Sequence, residues 1–218
     1  MLPLVFLHGL GGGKAVWDRQ IAHFRTLGHP CFAWDQPGYG QSPPVEPYTF
    51  EKLAQEFYAR YPEKVAALAL CFTSAAFAAD TDFARQFVAI RVGPLDAGKS
   101  MLEIARQVLP TQRGSVSDEP GFQLAVRIMG EVPPATYRQA VQAITTFDRS
   151  ADLPKIAVPT LLVAGSDDVT APAPLMGRMA KQIPGTEFVV LRGCGHLGQM
   201  DQPDAFNQVL EGFLRRRL

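Results

Sequence analysis

Short apolar runs recur along the chain, most of them closed by glycine or acidic residues. Residues 2–7, 30–34, 64–72, 158–164 and 187–191 are such runs and predict strands. Of these runs, 158–164 lacks the polar alternation of a half-exposed strand and fits a strand buried on both faces of a parallel sheet. Between them the apolar spacing turns helical. Val16, Trp17, Ile21 and Phe24 mark a helix after the first strand. Thr49 caps another, with Phe50, Leu53, Phe57 and Tyr61 on its apolar face and Pro62 as its stop. A helix over 174–183 ends at Pro184-Gly185, and an amphipathic helix over 204–214 closes the chain. From Ala75 to Thr146 the pattern predicts four amphipathic helices, about 81–91, 99–108, 121–129 and 135–147, with no strand among them. The expectation is an α/β fold carrying a helical insertion.

The stretch from Val158 to His196 organises the rest. Its first strand ends in Gly165-Ser-Asp-Asp168, and its second ends in Arg192-Gly-Cys-Gly-His196. A carboxylate after one parallel strand and a histidine after the next share one edge of the sheet, the edge where open α/β sheets bind ligands. An aspartate that orients a histidine is half of a nucleophilic hydrolase.

Composition narrows the setting. The 218 residues are 47% hydrophobic, enough for one α/β domain with its own core. Lys plus Arg and Asp plus Glu are each 21, so no basic field attracts nucleic acid or a membrane surface. Arg215, Arg216 and Arg217 complement the negative end of the last helix. Three cysteines, Cys31, Cys71 and Cys194, argue against a disulfide framework and for a reducing compartment. The N-terminal run has no positive flank and reads as a strand; residues 65–79 are uncharged but too short to span a bilayer. A soluble cytoplasmic protein is expected, with a small-molecule substrate, no metal and no cofactor.

Two glycine-bearing stretches invite phosphate chemistry. His8-Gly-Leu-Gly-Gly-Gly13 joins a strand to a helix, and its backbone N–H groups can point at an anion; the alternative is a tight turn without a ligand. Dinucleotide binding fits poorly, because Lys14 stands where the third glycine belongs. Gly93-Pro-Leu-Asp-Ala-Gly-Lys-Ser100 matches the P-loop pattern in full, and residues 87–92 pass for the preceding strand. Asp96 among phosphates and a position inside the helical insertion count against it. Ser42, in the turn Asp35-Gln-Pro-Gly-Tyr-Gly-Gln-Ser42, reads as a turn hydroxyl.

Taken together the motifs resemble the α/β-hydrolase fold superfamily. The similarity is to small lactonases and esterases of the 3-oxoadipate enol-lactonase type, with cofactor-free haloperoxidases nearby. It rests on His8-Gly-Leu-Gly-Gly12, Trp17-Asp18, the 35–42 turn, Tyr61-Pro-Glu-Lys-Val65, Pro159-Thr-Leu-Leu-Val-Ala-Gly165 with Asp168, and Gly193-Cys-Gly-His196 with Gln202-Pro203. The resemblance implies that His196 is the general base, that Asp168 rather than Asp167 orients it, and that the Leu10 N–H is one oxyanion donor. It also implies that residues 75–150 form a cap that sets substrate choice, inserted between core parts 1–74 and 151–218. The same site chemistry serves peroxidation and C–C bond hydrolysis.

One part of the family pattern is missing. The nucleophile of such enzymes stands in Gly-x-Ser-x-Gly, and none of Ser42, Ser74, Ser100, Ser115, Ser117, Ser150 and Ser166 has glycine at both flanking positions. Cys194 in Gly-Cys-Gly has the wrong spacing. Residues 49–54 resemble the start of the helix before the nucleophile strand, and residues 55–62 the end of the helix after it. The two pieces meet between Ala54 and Gln55, so about 30 residues are absent at ordinary element lengths. The expected sheet therefore lacks its central strand and also the family's N-terminal hairpin. The strand near Val65 then pairs elsewhere, beside the first strand, or the sheet keeps a gap. Ser74, just after that strand, lacks the glycines a sharp elbow needs. The reading is a hydrolase of small esters or lactones impaired by the absent serine. The alternatives are a non-catalytic remnant or binding module of the same fold, and a nucleotide binder at Gly93–Ser100.

Overall fold

The computed structural model describes residues 1–49, 62–77 and 81–218. The helix expected over 49–61, with the join between Ala54 and Gln55, lies outside the described residues. The apolar runs form five described strands: β1 (Leu4–Leu7), β2 (Cys31–Trp34), β3 (Leu68–Cys71), β4 (Thr160–Gly165) and β5 (Glu187–Leu191). All pairings among them are parallel, in two ladders, β1–β2 and β3–β4–β5. The third run is thus shorter than its apolar stretch and pairs with β4, not β1. It opens with a 3₁₀ turn at Pro62–Lys64. Its ladder begins where Leu68 N–H meets the Pro159 carbonyl at 3.0 Å and Thr160 takes up the register.

The described residues divide into two compact units. The first comprises those of 1–57, 77–110 and 123–147. Here a 3₁₀ turn (Lys14–Trp17) and α1 (Asp18–Thr26) cover one face of the β1–β2 ladder. The Phe6 ring lies 5.3 Å from that of Trp17 and 6.4 Å from that of Phe24. The register partners Val5 and Phe32 are exposed, as is Trp34, so one face of this ladder stays open to solvent.

Four helices occupy the expected insertion: α2 (Thr81–Asp96), α3 (Met101–Val108), α4 (Glu119–Gly130) and α5 (Pro134–Ile144). α2 packs against α3 and α5. α3 begins in a capping box: Ser100 Oγ accepts the Glu103 N–H, and Glu103 Oε2 accepts the Ser100 N–H at 2.8 Å. Pro134 starts α5, where a missing N–H is harmless.

The second unit comprises the described residues of 58–76, 111–122 and 148–218. All six residues of β4 are buried, which explains why its sequence shows no alternation. Leu162 and Ala164 pack with Met176, Met179 and Ile183 from α6 (Ala173–Ala180) and the turn after it, and with Leu153 and Ile156. A short α7 (Gly198–Asp201) leads into α8 (Pro203–Arg217). Arg216 and Arg217 reach the Glu187 carboxylate at 2.7 and 2.8 Å, so these C-terminal cations also tie α8 to the start of β5. Within this unit the Arg149 N–H donates to the Ala75 carbonyl at 2.7 Å, which ties the end of one segment to the start of another. No described helix is long and apolar enough to cross a membrane.

Candidate active site

The loops after β4 and β5 are built into each other through backbone. Ser166 N–H donates to the Leu191 carbonyl and Asp167 N–H to the Cys194 carbonyl, both at 2.9 Å. Gly193 takes a φ of +71°, which glycine adopts without strain. These ties fix where the next side chains emerge.

Asp168 and His196 meet across this junction. His196 Nδ1 lies 2.9 Å from Asp168 Oδ2. The other oxygen, Asp168 Oδ1, accepts the N–H groups of Thr170 and Ala171 at 2.8 and 2.9 Å. Burial pushes the Asp168 carboxyl up, but the bonds to His196 and to these two N–H groups outweigh it and hold it below the usual carboxylate range. An ionised acceptor requires the proton on Nδ1, which leaves Nε2 as the imidazole's lone-pair nitrogen. Among the described residues Nε2 has no hydrogen-bond partner. The Asp168 side chain is fully buried while that of His196 is 25% exposed, so solvent or a substrate reaches the imidazole and not the acid.

Asp167 faces elsewhere. Its Oδ2 accepts the Ser115 N–H at 2.9 Å and the Ser115 hydroxyl at 2.6 Å. Those bonds depress its carboxyl below the ordinary range. Ser115 belongs to a strap, residues 111–118, that sequence reasoning took only as a break between helices. The strap accepts the His196 N–H on the Gln112 carbonyl at 2.8 Å, and Val116 N–H donates to the Gly193 carbonyl at 2.9 Å. No local pattern announces it, because its partners lie far along the chain.

In the first unit the turn after β1 is organised by two buried polar side chains. His8 Nε2 accepts the Gln36 N–H at 3.0 Å, and Nδ1 donates to the Gly9 carbonyl at 2.9 Å. Burial lowers the His8 pKa. Asp35 Oδ1 accepts the Lys14 N–H at 2.7 Å, and Oδ2 lies 3.2 Å from Lys14 Nζ. The helix start that sequence marked as an anion site thus holds the chain's own carboxylate. The Leu10 N–H makes no hydrogen bond among the described residues, while Gly12 N–H is taken by the Gly9 carbonyl at 3.1 Å.

The remaining candidates fall away or stay apart. Gly93 and Pro94 are helical, as are residues 87–92, so the strand that a phosphate-binding loop requires is absent and the nucleotide reading is corrected. Gly98 ends the turn at φ +80°, Lys99 Nζ donates to Gln107 at 3.2 Å, and Ser100 is a helix cap. Ser42 donates to the Asp35 carbonyl at 2.6 Å, a turn hydroxyl as read. Among the described residues no hydrogen bond joins Ser74 to His196. Burial, with Asp201, Asp167 and Asp168 nearby, pushes the Cys194 thiol up to about 12, which removes its thiolate. Among the described residues no three His, Cys, Asp or Glu side chains are grouped to hold a metal ion.

Comparison with known proteins agrees with the fold. The sequence profile described as the alpha/beta hydrolase family matches residues 4–209. A pimeloyl-[acyl-carrier protein] methyl ester esterase of Neisseria meningitidis is 26% identical over 239 residues, 95% of this chain and 75% of that protein. The 3-oxoadipate enol-lactonase 1 of Acinetobacter baylyi is 25% identical over 238 residues, 97% of this chain and 88% of the relative. The first alignment runs over 239 positions yet uses 95% of 218 residues, so about thirty positions have no counterpart here. Among solved structures, the enol-lactonase of Burkholderia xenovorans superposes with a TM-score of 0.82 at 22% identity, covering 99% of this chain and 92% of that one. At that identity the likeness speaks for the fold alone.

Proposed function

Because the chain belongs to the alpha/beta hydrolase family, we propose that it derives from a hydrolase of small carboxylic esters or lactones in which His196 is the general base and Asp168 holds its tautomer. The observation that carries this reading is the 2.9 Å bond between His196 Nδ1 and the buried Asp168 carboxylate. With Nδ1 protonated, Nε2 takes a proton from an attacking hydroxyl or water. The carboxylate then stabilises the imidazolium that forms. The Leu10 N–H, without a hydrogen bond among the described residues, is our choice for one oxyanion donor, a group whose removal typically costs about 3–4 kcal/mol of transition-state stabilisation. We read the helices within 75–150 as the part that sets substrate choice, between core parts 1–74 and 151–218. The esterase and lactonase relatives support a small ester or lactone as substrate.

The nucleophile is the missing partner. The sequence has no Gly-x-Ser-x-Gly, and the unmatched alignment positions fit the segment that would carry it. We therefore read this chain as impaired: His196 can act only as a general base on water, and binding with oxyanion stabilisation leaves about 10³–10⁴-fold acceleration over water when a triad loses its nucleophile. Hydrolysis of a p-nitrophenyl ester by the purified protein tests this. Slow turnover lowered further by His196→Ala supports the reading. No turnover with retained binding of the ester overturns it in favour of a binding module, the alternative that the absent serine favours.

A further inference from the structure

We infer that Asp201 is a positioning residue for His196, acting through the backbone of the turn that carries the imidazole. The inference rests on the general-base reading of His196. Asp201 ends α7 and is buried. Its Oδ2 accepts two backbone N–H groups, from Gly195 at 2.8 Å and from Gly114 at 3.0 Å. Its Oδ1 accepts the Ser117 hydroxyl at 2.6 Å, and its own carbonyl accepts the Asp118 N–H at 2.9 Å. One carboxylate thus clamps the residue immediately before His196 to the 111–118 strap.

The strap closes the circuit from the other side, since the Gln112 carbonyl accepts the N–H of His196 itself at 2.8 Å. Gly114 and Gly195 pass in backbone contact. A Cβ on either would lie 2.6 Å from the amide nitrogen of the other, so the clamp needs both glycines. His196 is therefore held at its own N–H and at the peptide preceding it, while Asp168 holds the ring. Among the described residues Asp201 makes no hydrogen bond to the imidazole. Its part is to keep the main chain where the Nδ1–H aims at Asp168. Without it, the buried Gly195 N–H and the half-buried Gly114 N–H lose their shared acceptor, and the turn relaxes to satisfy them.

The test reads the His196 ring directly and needs no turnover. In the wild-type protein the Nδ1 proton, bonded to Asp168, is expected to give a slowly exchanging low-field proton resonance by NMR. In Asp201→Ala its exchange is expected to quicken by about tenfold or more, the scale of one lost buried hydrogen bond. In Asp201→Asn it should stay near wild type. There the amide oxygen can accept both glycine N–H groups and the NH₂ can donate to Ser117 Oγ. A folded Asp201→Ala with unchanged Nδ1 exchange overturns the inference, and so does loss of the resonance in Asp201→Asn. Should Asp201→Ala not fold, wild-type exchange on warming decides. The Gly114 and Gly195 amides are expected to lose protection in step with the Nδ1 proton, and release of that proton while both amides stay protected overturns the proposal. Absence of the resonance from the wild type instead refutes the Asp168–His196 reading itself, and this inference with it.

Discussion

The backbone of Gly165 lies directly against the carbonyl groups of Cys194 and Gly195. A Cβ at position 165 would sit 2.6 Å from the Gly195 oxygen and nearer still to that of Cys194. The end of β4 and the turn after β5 can therefore meet only because residue 165 has no side chain, and that meeting brings Asp168 to His196. Gly165→Ala is expected to cost about 1–3 kcal/mol, the range for overpacking a close contact. Urea unfolding monitored by circular dichroism reads this as a lower midpoint at unchanged slope.

The two adjacent acids should behave differently. Asp168→Asn removes the charge that stabilises the imidazolium and gives Nδ1 a different partner. The general-base contribution, typically about 10²–10⁴-fold, should be lost. Asp167→Asn disturbs only Ser115 and Ser166 and should leave ester turnover within about threefold, since exposed hydrogen bonds contribute little. Background-corrected p-nitrophenyl ester hydrolysis separates the two. Equal losses would mean that the site depends on the loop as a whole.

Acid sensitivity should have two components of the same sign. His8 is held neutral by burial, with its pKa below the ordinary value of about 6.5. Below that value the unfolded chain takes the proton first, so stability declines as pH falls toward the folded pKa. Asp168 is held below the ordinary carboxylate value of about 3.9. Its contribution is complete above that value and disappears as pH falls through the folded pKa. Unfolding midpoints measured from pH 7 to pH 3 should therefore fall in two stages. A His8→Gln variant should lose the upper stage and keep the lower.

At the start of the first helix the charge matters less than the cap. Asp35→Ala removes the acceptor of the Lys14 N–H and should cost about 0.5–2 kcal/mol, as other lost N-terminal caps do. Lys14→Ala removes only an ion pair whose lysine side chain is 57% exposed, and should cost less than about 0.5 kcal/mol. Thermal unfolding of the two variants checks the ranking.

Much of this was legible in the sequence, and the exceptions have a common cause. The strand at 160–165 could be read because both its faces are covered, which leaves an uninterrupted apolar run, and the strand at 187–191 because Phe188 and Val190 stay apolar although they are exposed. The acid and the histidine followed, since each stands just past such a run. The choice of Asp168 over Asp167 came only from family resemblance. In the structure Asp168 faces His196, while Asp167 faces Ser115, 52 residues away in the chain. The strap and Asp201 were invisible for the same reason: their work is done by backbone N–H groups, which carry no signature in residue types. Gly93–Ser100 failed in the opposite way. Its letters matched a phosphate loop, but the apolar spacing before it belongs to α2, and Ser100 is spent on capping α3.

The central claim is that His196 and Asp168 form a working base and orienting acid whose hydroxyl partner is missing from between Ala54 and Gln55. The direct measurement is ester turnover by this protein after insertion, at that join, of a strand–elbow–helix segment bearing Gly-x-Ser-x-Gly. Turnover should rise at least about a hundredfold over the 218-residue chain, well within the roughly millionfold a triad nucleophile contributes, and should vanish again with His196→Ala. A folded insertion variant no faster than the parent, or one whose gain survives His196→Ala, would contradict the account.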